Sequence, residues 1–81
     1  MSTLTKEQAA EEGLEIPTKA EDERLQALCL SWRSGMPPLT RDFEGIGKLN
    51  HAFYVDNGVH TAIFWRNENF QCKIYFIKRF P

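Results

Sequence analysis

Histidines, cysteines, hydroxyls and carboxylates are the side chains from which a chain of 81 residues could build a reactive centre, and here they are scattered. His51 and His60 stand in neither an H-x-x-x-H nor an H-E-x-x-H pattern, and Cys29 and Cys72 are too far apart for a Cys-x-x-Cys pair, so no metal site is expected. Both cysteines fall on expected core positions. Two buried thiols are what a reducing compartment leaves; a disulfide between them is the alternative. Ser31 and Ser34 lie at a helix end away from both histidines, and nothing brings Asp42 and Glu44 to a common cleft, so neither a nucleophile–base pair nor a carboxylate pair forms. Gly45-Ile46-Gly47 is followed by no Lys-Ser/Thr pair and by a strand instead of a helix, which removes the amides that cradle phosphate. No catalytic residue, metal or cofactor is expected.

A second set of residues suits binding better than catalysis. His51, Phe53, His60, Phe64, Arg66, Lys73, Tyr75 and Arg79 mix rings with cations. Aromatics and arginine dominate the energetic centres of protein interfaces. The same mixture also stacks and steers single-stranded nucleic acid.

Strands must bring these residues to one face. Apolar alternation predicts strands over 49–55, 59–66 and 70–78, joined by Asp56-Asn57-Gly58 and Asn67-Glu68-Asn69. Asn-Gly between alternating residues is a strong hairpin signal, because a type I′ turn needs positive φ at both central positions. With Asn57-Gly58 as a two-residue turn, Asp56 pairs with Val59, Phe53 with Ala62 and His51 with Phe64. With Glu68-Asn69 as the second turn, Trp65 pairs with Cys72, Ile63 with Ile74 and Ala62 with Tyr75. Opposed residues share a face. One face then carries Ala52, Tyr54, Val59, Ile63, Trp65, Phe70, Cys72, Ile74 and Phe76, and is expected to be the core. The other carries the eight binding candidates with Gln71 and Ile77, and is expected to be open, the alternatives being that the N-terminal helix folds back over it or that a second copy covers it. A three-residue turn would shift the register and exchange the lists.

Helices must supply the rest of the core. Thr5-Lys6-Glu7-Gln8 and Thr18-Lys19-Ala20-Glu21 both match a capping box. The second helix is expected over 19–34. Leu25, Leu28, Cys29 and Trp32 form one stripe, Gly35 stops it, and Pro37-Pro38 prevent its continuation. The first helix is short and poor in large apolar residues, ending at Gly13 before Pro17; the segment 1–17 is a loosely held helix or a mobile tail. Residues 18–81 then form a single α+β domain, one main helix on a three-stranded antiparallel meander, with 35–47 as a connector containing at most a turn of helix around 40–44.

Charge is divided between the halves. Residues 1–39 hold four basic and seven acidic side chains, net −3, and residues 40–81 hold six basic and four acidic, net +2. The overall charge of −1 disfavours a dedicated nucleic-acid binder. No apolar run reaches the ~20 residues a membrane span needs. The four glutamates and one lysine of the first sixteen residues do not resemble a secretory or transit signal, so a cytoplasmic location is expected.

The stretch from Asp42-Phe43-Glu44-Gly45-Ile46 to Ile77-Lys78-Arg79 resembles the strand region of RelE-type toxins, small ribonucleases that cut messenger RNA in the ribosome. That resemblance implies His60, Arg66, Lys73, Tyr75 and Arg79 as the residues that position RNA and move protons. The chain departs from that family in being near neutral and in its shorter helical portion. In general style the chain also resembles the small inhibitors carried by phages and mobile elements, anti-CRISPR proteins among them. The function expected is therefore a non-enzymatic module that occludes a larger host enzyme or complex, with Phe53, Phe64, Tyr75 and Arg66 as anchors and Glu7, Glu11 and Glu12 engaging a basic partner surface. A homodimer, a RelE-like ribonuclease and a single-strand binder are the alternatives.

Overall fold

The computed structural model describes residues 3–31, 39–56, 58–69 and 71–80. Two helices, α1 (Lys6–Glu11) and α2 (Lys19–Ser31), precede four strands, β1 (Leu39–Phe43), β2 (Gly47–Asp56), β3 (Val59–Glu68) and β4 (Gln71–Phe80). The strands form one antiparallel meander in the order β1-β2-β3-β4. The protein is a mixed α+β fold with four strands where three were expected. Trp32, Gly35, Met36, Pro37, Pro38, Asn57 and Phe70 lie outside the described residues, as do the side chains of Cys29 and Asp56.

Both capping boxes form. Thr5 Oγ1 accepts from the Gln8 amide at 3.1 Å while Gln8 Oε1 accepts from the Thr5 amide at 3.0 Å, and Thr18 and Glu21 repeat the exchange at 3.2 and 3.1 Å. Such caps are worth about 1 kcal/mol each. At its other end α1 closes with a Schellman pair: the Leu14 amide donates to the Ala9 carbonyl and the Gly13 amide to the Ala10 carbonyl, both at 3.0 Å. The closure needs a left-handed residue, and Gly13 supplies it at φ 87°.

The strand missing from the expectation is β1, which lies inside the segment read as a connector. Leu39, Arg41 and Phe43 alternate with Thr40 and Asp42, but the arginine in the middle hides the period. The turn to β2 is Glu44-Gly45-Ile46, with the Ile46 amide donating to the Phe43 carbonyl at 3.2 Å. Gly45 at φ 80° takes the left-handed position that a three-residue hairpin requires.

Pairing of β2 with β3 follows the expected register, with Asp56 opposite Val59, Phe53 opposite Ala62 and His51 opposite Phe64. Pairing of β3 with β4 does not. Trp65 opposes Ile74 instead of Cys72, a slip of two that preserves the faces. Beyond it a bulge at Tyr75 puts Phe76 opposite Phe64 and Ile77 opposite Ile63. An extra residue reverses the alternation after it. Ile77 and Arg79 therefore pass to the face expected to be core, while Phe76 joins Tyr75 on the face expected to be open.

That second face is largely covered. On one side of the sheet Leu25 of α2 is buried with Ile63, Trp65, Cys72, Ile74 and Ile77, and Leu28 and Tyr54 pack beside them. On the other, Ala9 of α1 and Leu14 just after it are buried with Phe43, Leu49, Ala62 and Phe64. The N-terminal segment is docked along its length. The Leu4 amide donates to the Asp42 carbonyl at 2.9 Å and the Glu44 amide donates to the Leu4 carbonyl at 2.8 Å, which ties the segment to the edge of β1. Glu15 exchanges two backbone bonds of 2.8 Å with Ile77, which ties it to the edge of β4. Between these points the segment crosses the sheet as a strap. It then turns around β4 into α2 on the opposite face.

Candidate functional site

Two ends of the strap-side face differ in how they are covered. The near end, beside the β1–β2 turn, lies under the strap. The far end, beside the β2–β3 turn, does not. There Leu39, Phe53, Val55 and Phe80 are 60, 56, 57 and 36% exposed. They share one face: Leu39 opposes His51, Val55 opposes His60, and His60 opposes Phe80. The Phe53 ring lies 4.5 Å from that of His51 and 6.4 Å from that of Phe80, and Lys78 Nζ stands 5.1 Å from the centroid of Phe80. Isolated exposed apolar residues are ordinary, whereas a contiguous group is what an interface is made of.

His51 forms the floor where this group meets the core. Its ring stacks on buried Phe64 at 4.3 Å, and its Nε2 is buried with no hydrogen-bond partner among the described residues. Burial first, and then the neighbouring Arg41 guanidinium, push its pKa below the usual histidine value.

The other expected anchors are occupied. Phe64 is 2% exposed and meets Phe43 edge-on at 5.5 Å, so it belongs to the core; the segment that covers it was expected to be a short, loosely held helix or a mobile tail. Arg66 and Tyr75 sit at the near end in a closed network. Arg66 donates through Nε to Glu68 Oε1 at 2.9 Å, through Nη1 to the Ile46 carbonyl at 2.8 Å, and through Nη2 to Tyr75 Oη at 2.8 Å and also to Glu68. The Tyr75 hydroxyl in turn donates to Glu68 Oε1 at 2.9 Å. Arg66, with help from Tyr75, holds the Glu68 carboxyl below the usual carboxylate range. Lys73 is exposed above the Tyr75 ring at 4.9 Å. Arg79, turned to the α2 side by the bulge, binds Glu15 at 2.6 Å and also pairs with Glu21.

The charge division is consumed within the fold in the same way. Arg41 takes both oxygens of Glu12 at 3.0 and 2.7 Å, so Glu12 is committed to β1; Glu7 and Glu11 remain exposed. Of the five residues expected to act on RNA, Arg66, Lys73 and Tyr75 are grouped at the near end, and His60 and Arg79 are not with them. His60 and Arg66 stand six residues apart on β3, about 20 Å along a strand, and Arg79 projects from the opposite face. Among the described residues no three His, Cys, Asp or Glu side chains cluster as metal ligands, and no helix is long and apolar enough to cross a membrane. Cys72 is buried beneath α2, and a disulfide would turn on the Cys29 side chain, which lies outside the described residues.

The sequence singled out His51, Phe53 and His60 for this surface and missed Leu39, Val55, Lys78 and Phe80. Leu39 was hidden in the connector. Lys78 and Phe80 come to this face only because of the bulge. The fold class these features define is a four-stranded α+β meander strapped on one face and helix-covered on the other. No protein family, curated protein or solved structure matches the chain.

Proposed function

We propose that this protein is a small non-enzymatic binding module whose far-end surface docks on a larger protein or complex and occludes it, an inhibitor of the kind carried by phages and mobile elements and active in the host cytoplasm. The observation that carries this reading is the group Leu39, Phe53, Val55 and Phe80, exposed on one face while the other large apolar strand side chains described on that face, Phe43, Leu49, Phe64, Tyr75 and Phe76, are buried or half-buried. Phe53 is the central anchor. His60 and Lys78 form its polar rim, and their character favours an acidic or carbonyl-rich partner surface.

Tagged full-length protein, incubated with nuclease-treated bacterial lysate, is expected to retain one stoichiometric protein or complex. Phe53→Asp is expected to release it with an unchanged circular dichroism spectrum. Retention of the partner by that variant would overturn the reading. So would recovery of the bait alone as a dimer that Phe53→Asp dissociates, which would assign the surface to self-association. Recovery of ribosomes, with growth arrest on expression, would favour the ribonuclease instead.

A further inference from the structure

We propose that the cleft between α1 and the near end of β4 binds a small amphipathic anion, an apolar chain or ring that ends in a carboxylate. This site is separate from the far-end group and stands without it. The cleft has a volume of about 710 Å³, within the size class of small-ligand pockets.

Its floor exists because of the bulge. Consecutive strand residues ordinarily point to opposite faces, but here Tyr75 and Phe76 both pack on the strap side. The Tyr75 hydroxyl is already bound by Arg66 and Glu68, so what it offers the cleft is ring. The roof is open because α1 faces the sheet with alanine: Ala9 is buried, and Ala10 beside it lines the cleft without filling it. A leucine at either position would take up the space. Ile16 is the outer wall and is 80% exposed. Its backbone is positioned there because Glu15, the residue before it, is held to Ile77 by two backbone bonds of 2.8 Å.

Lys6 and Lys73 stand at the mouth, with Glu44 on a third side. Lys73 also acts on the Glu68 carboxylate beside it, but Arg66 already binds that group, so Lys6, Lys73 and Arg66 stand against Glu44 and Glu68 and leave one positive charge. Neither lysine is within ion-pair distance of a carboxylate among the described residues. Lys73 is held over the Tyr75 ring at 4.9 Å, directly above the apolar floor. A carboxylate at the mouth gains a charge-assisted contact while its chain covers Phe76 and Ile16.

Decanoate and the uncharged decanol, each titrated below its aggregation limit into full-length ¹⁵N-labelled protein, test the proposal. Decanoate is expected to give saturable amide shifts in residues 9–16 and 73–76, with decanol weaker by about tenfold, the value of one charge-assisted contact. Lys73→Glu is expected to weaken decanoate by a similar factor, and Ala10→Trp to abolish its binding with the spectrum's dispersion retained. Equal affinity for the two probes would overturn the anionic assignment. Absence of shifts, or shifts confined to the neighbourhood of Phe53, would overturn the site. Should Ala10→Trp lose dispersion, the Lys73→Glu comparison still decides.

Discussion

One imidazole separates two phenyl rings with opposite duties. His51 lies 4.5 Å from Phe53 and 4.3 Å from Phe64, yet the first ring is more than half exposed and the second is closed in the core. A charge at each position therefore has different consequences. Phe64→Asp would bury a carboxylate between Phe43 and the His51 ring in place of a packed phenyl group, and even the milder loss of a core phenylalanine costs about 3–5 kcal/mol, comparable to the whole stability of a small domain. Loss of the cooperative denaturant transition is expected for Phe64→Asp and its retention for Phe53→Asp; urea melts followed by circular dichroism decide it. His51 itself makes stability depend on pH. Its folded pKa is depressed by burial and by Arg41, whose charge is shared with Glu12, so the unfolded chain takes up the proton first. The linkage sign follows: stability is full above the unfolded value of 6.5 and falls as pH drops below it. His51→Gln is expected to flatten the urea midpoint between pH 7.5 and 5, a window above that of the carboxylates. A wild-type midpoint that does not move over this range would contradict it.

At the scale of elements, α1 is anchored by position more than by its own packing. Apart from buried Ala9 it has no large apolar residue, and its docking rests on Leu14, the backbone ties of Leu4 and Glu15, and the Glu12–Arg41 pair. Both members of that pair keep over a third of their side-chain surface in solvent. Solvent screening limits such pairs to about 0.2–1 kcal/mol, so the coupling energy from a Glu12→Gln, Arg41→Gln double-mutant cycle is expected in that range and to shrink in 0.5 M salt; it is read from urea unfolding. The capping boxes, the Leu25 and Leu28 part of the α2 stripe and the β2–β3 register were legible because each is set by chemistry within a few residues. Three features were not, for physical reasons. Strand β1 is an edge with Arg41 at its centre; alternation puts that arginine on the face of Leu39 and Phe43, where its partner Glu12 arrives from a distant segment. The bulge at Tyr75 brings Tyr75 and Phe76 to the strap side together, and no local residue type announces it. Phe64 looked open because the cover over it is a short segment whose packed residues are Ala9 of α1 and Leu4 and Leu14 on either side of it. Of the candidate surface, His51, Phe53 and His60 were legible, since they precede the bulge. Arg66, Tyr75 and Arg79 were chosen on residue type, and their partners Glu68, Glu15 and Glu21 are as polar as they are, so the sequence could not tell a binding arginine from a tied one.

For the molecule as a whole, the strap is the feature on which the rest depends. It touches both outer strands, at Phe43 through Leu4 and at Ile77 through Glu15, and it closes the face between them. Sheet edges and bare aromatic faces are where chains associate, and the strap covers the near-end aromatic face and pairs with each outer strand at one point. The acidic N-terminal half and the basic sheet half therefore bind each other, with Glu12, Glu15 and Glu21 meeting Arg41 and Arg79. A chain beginning at Thr18 would retain α2 and all four strands. It would also uncover Phe43, Leu49 and Phe64, each no more than 3% exposed in the whole protein. A domain this small has little stability to spare. The truncated chain is expected to lose its cooperative urea transition or to associate through the uncovered face, seen as a rise in mass by light scattering. Residues 3–17 supplied separately as a peptide are expected to reverse the association, and Glu12→Arg, Glu15→Arg in that peptide to prevent the rescue. A truncated chain that stays monomeric with an unchanged midpoint would show that 18–81 folds without its strap, and that the far-end group is not the only face this sheet can leave open.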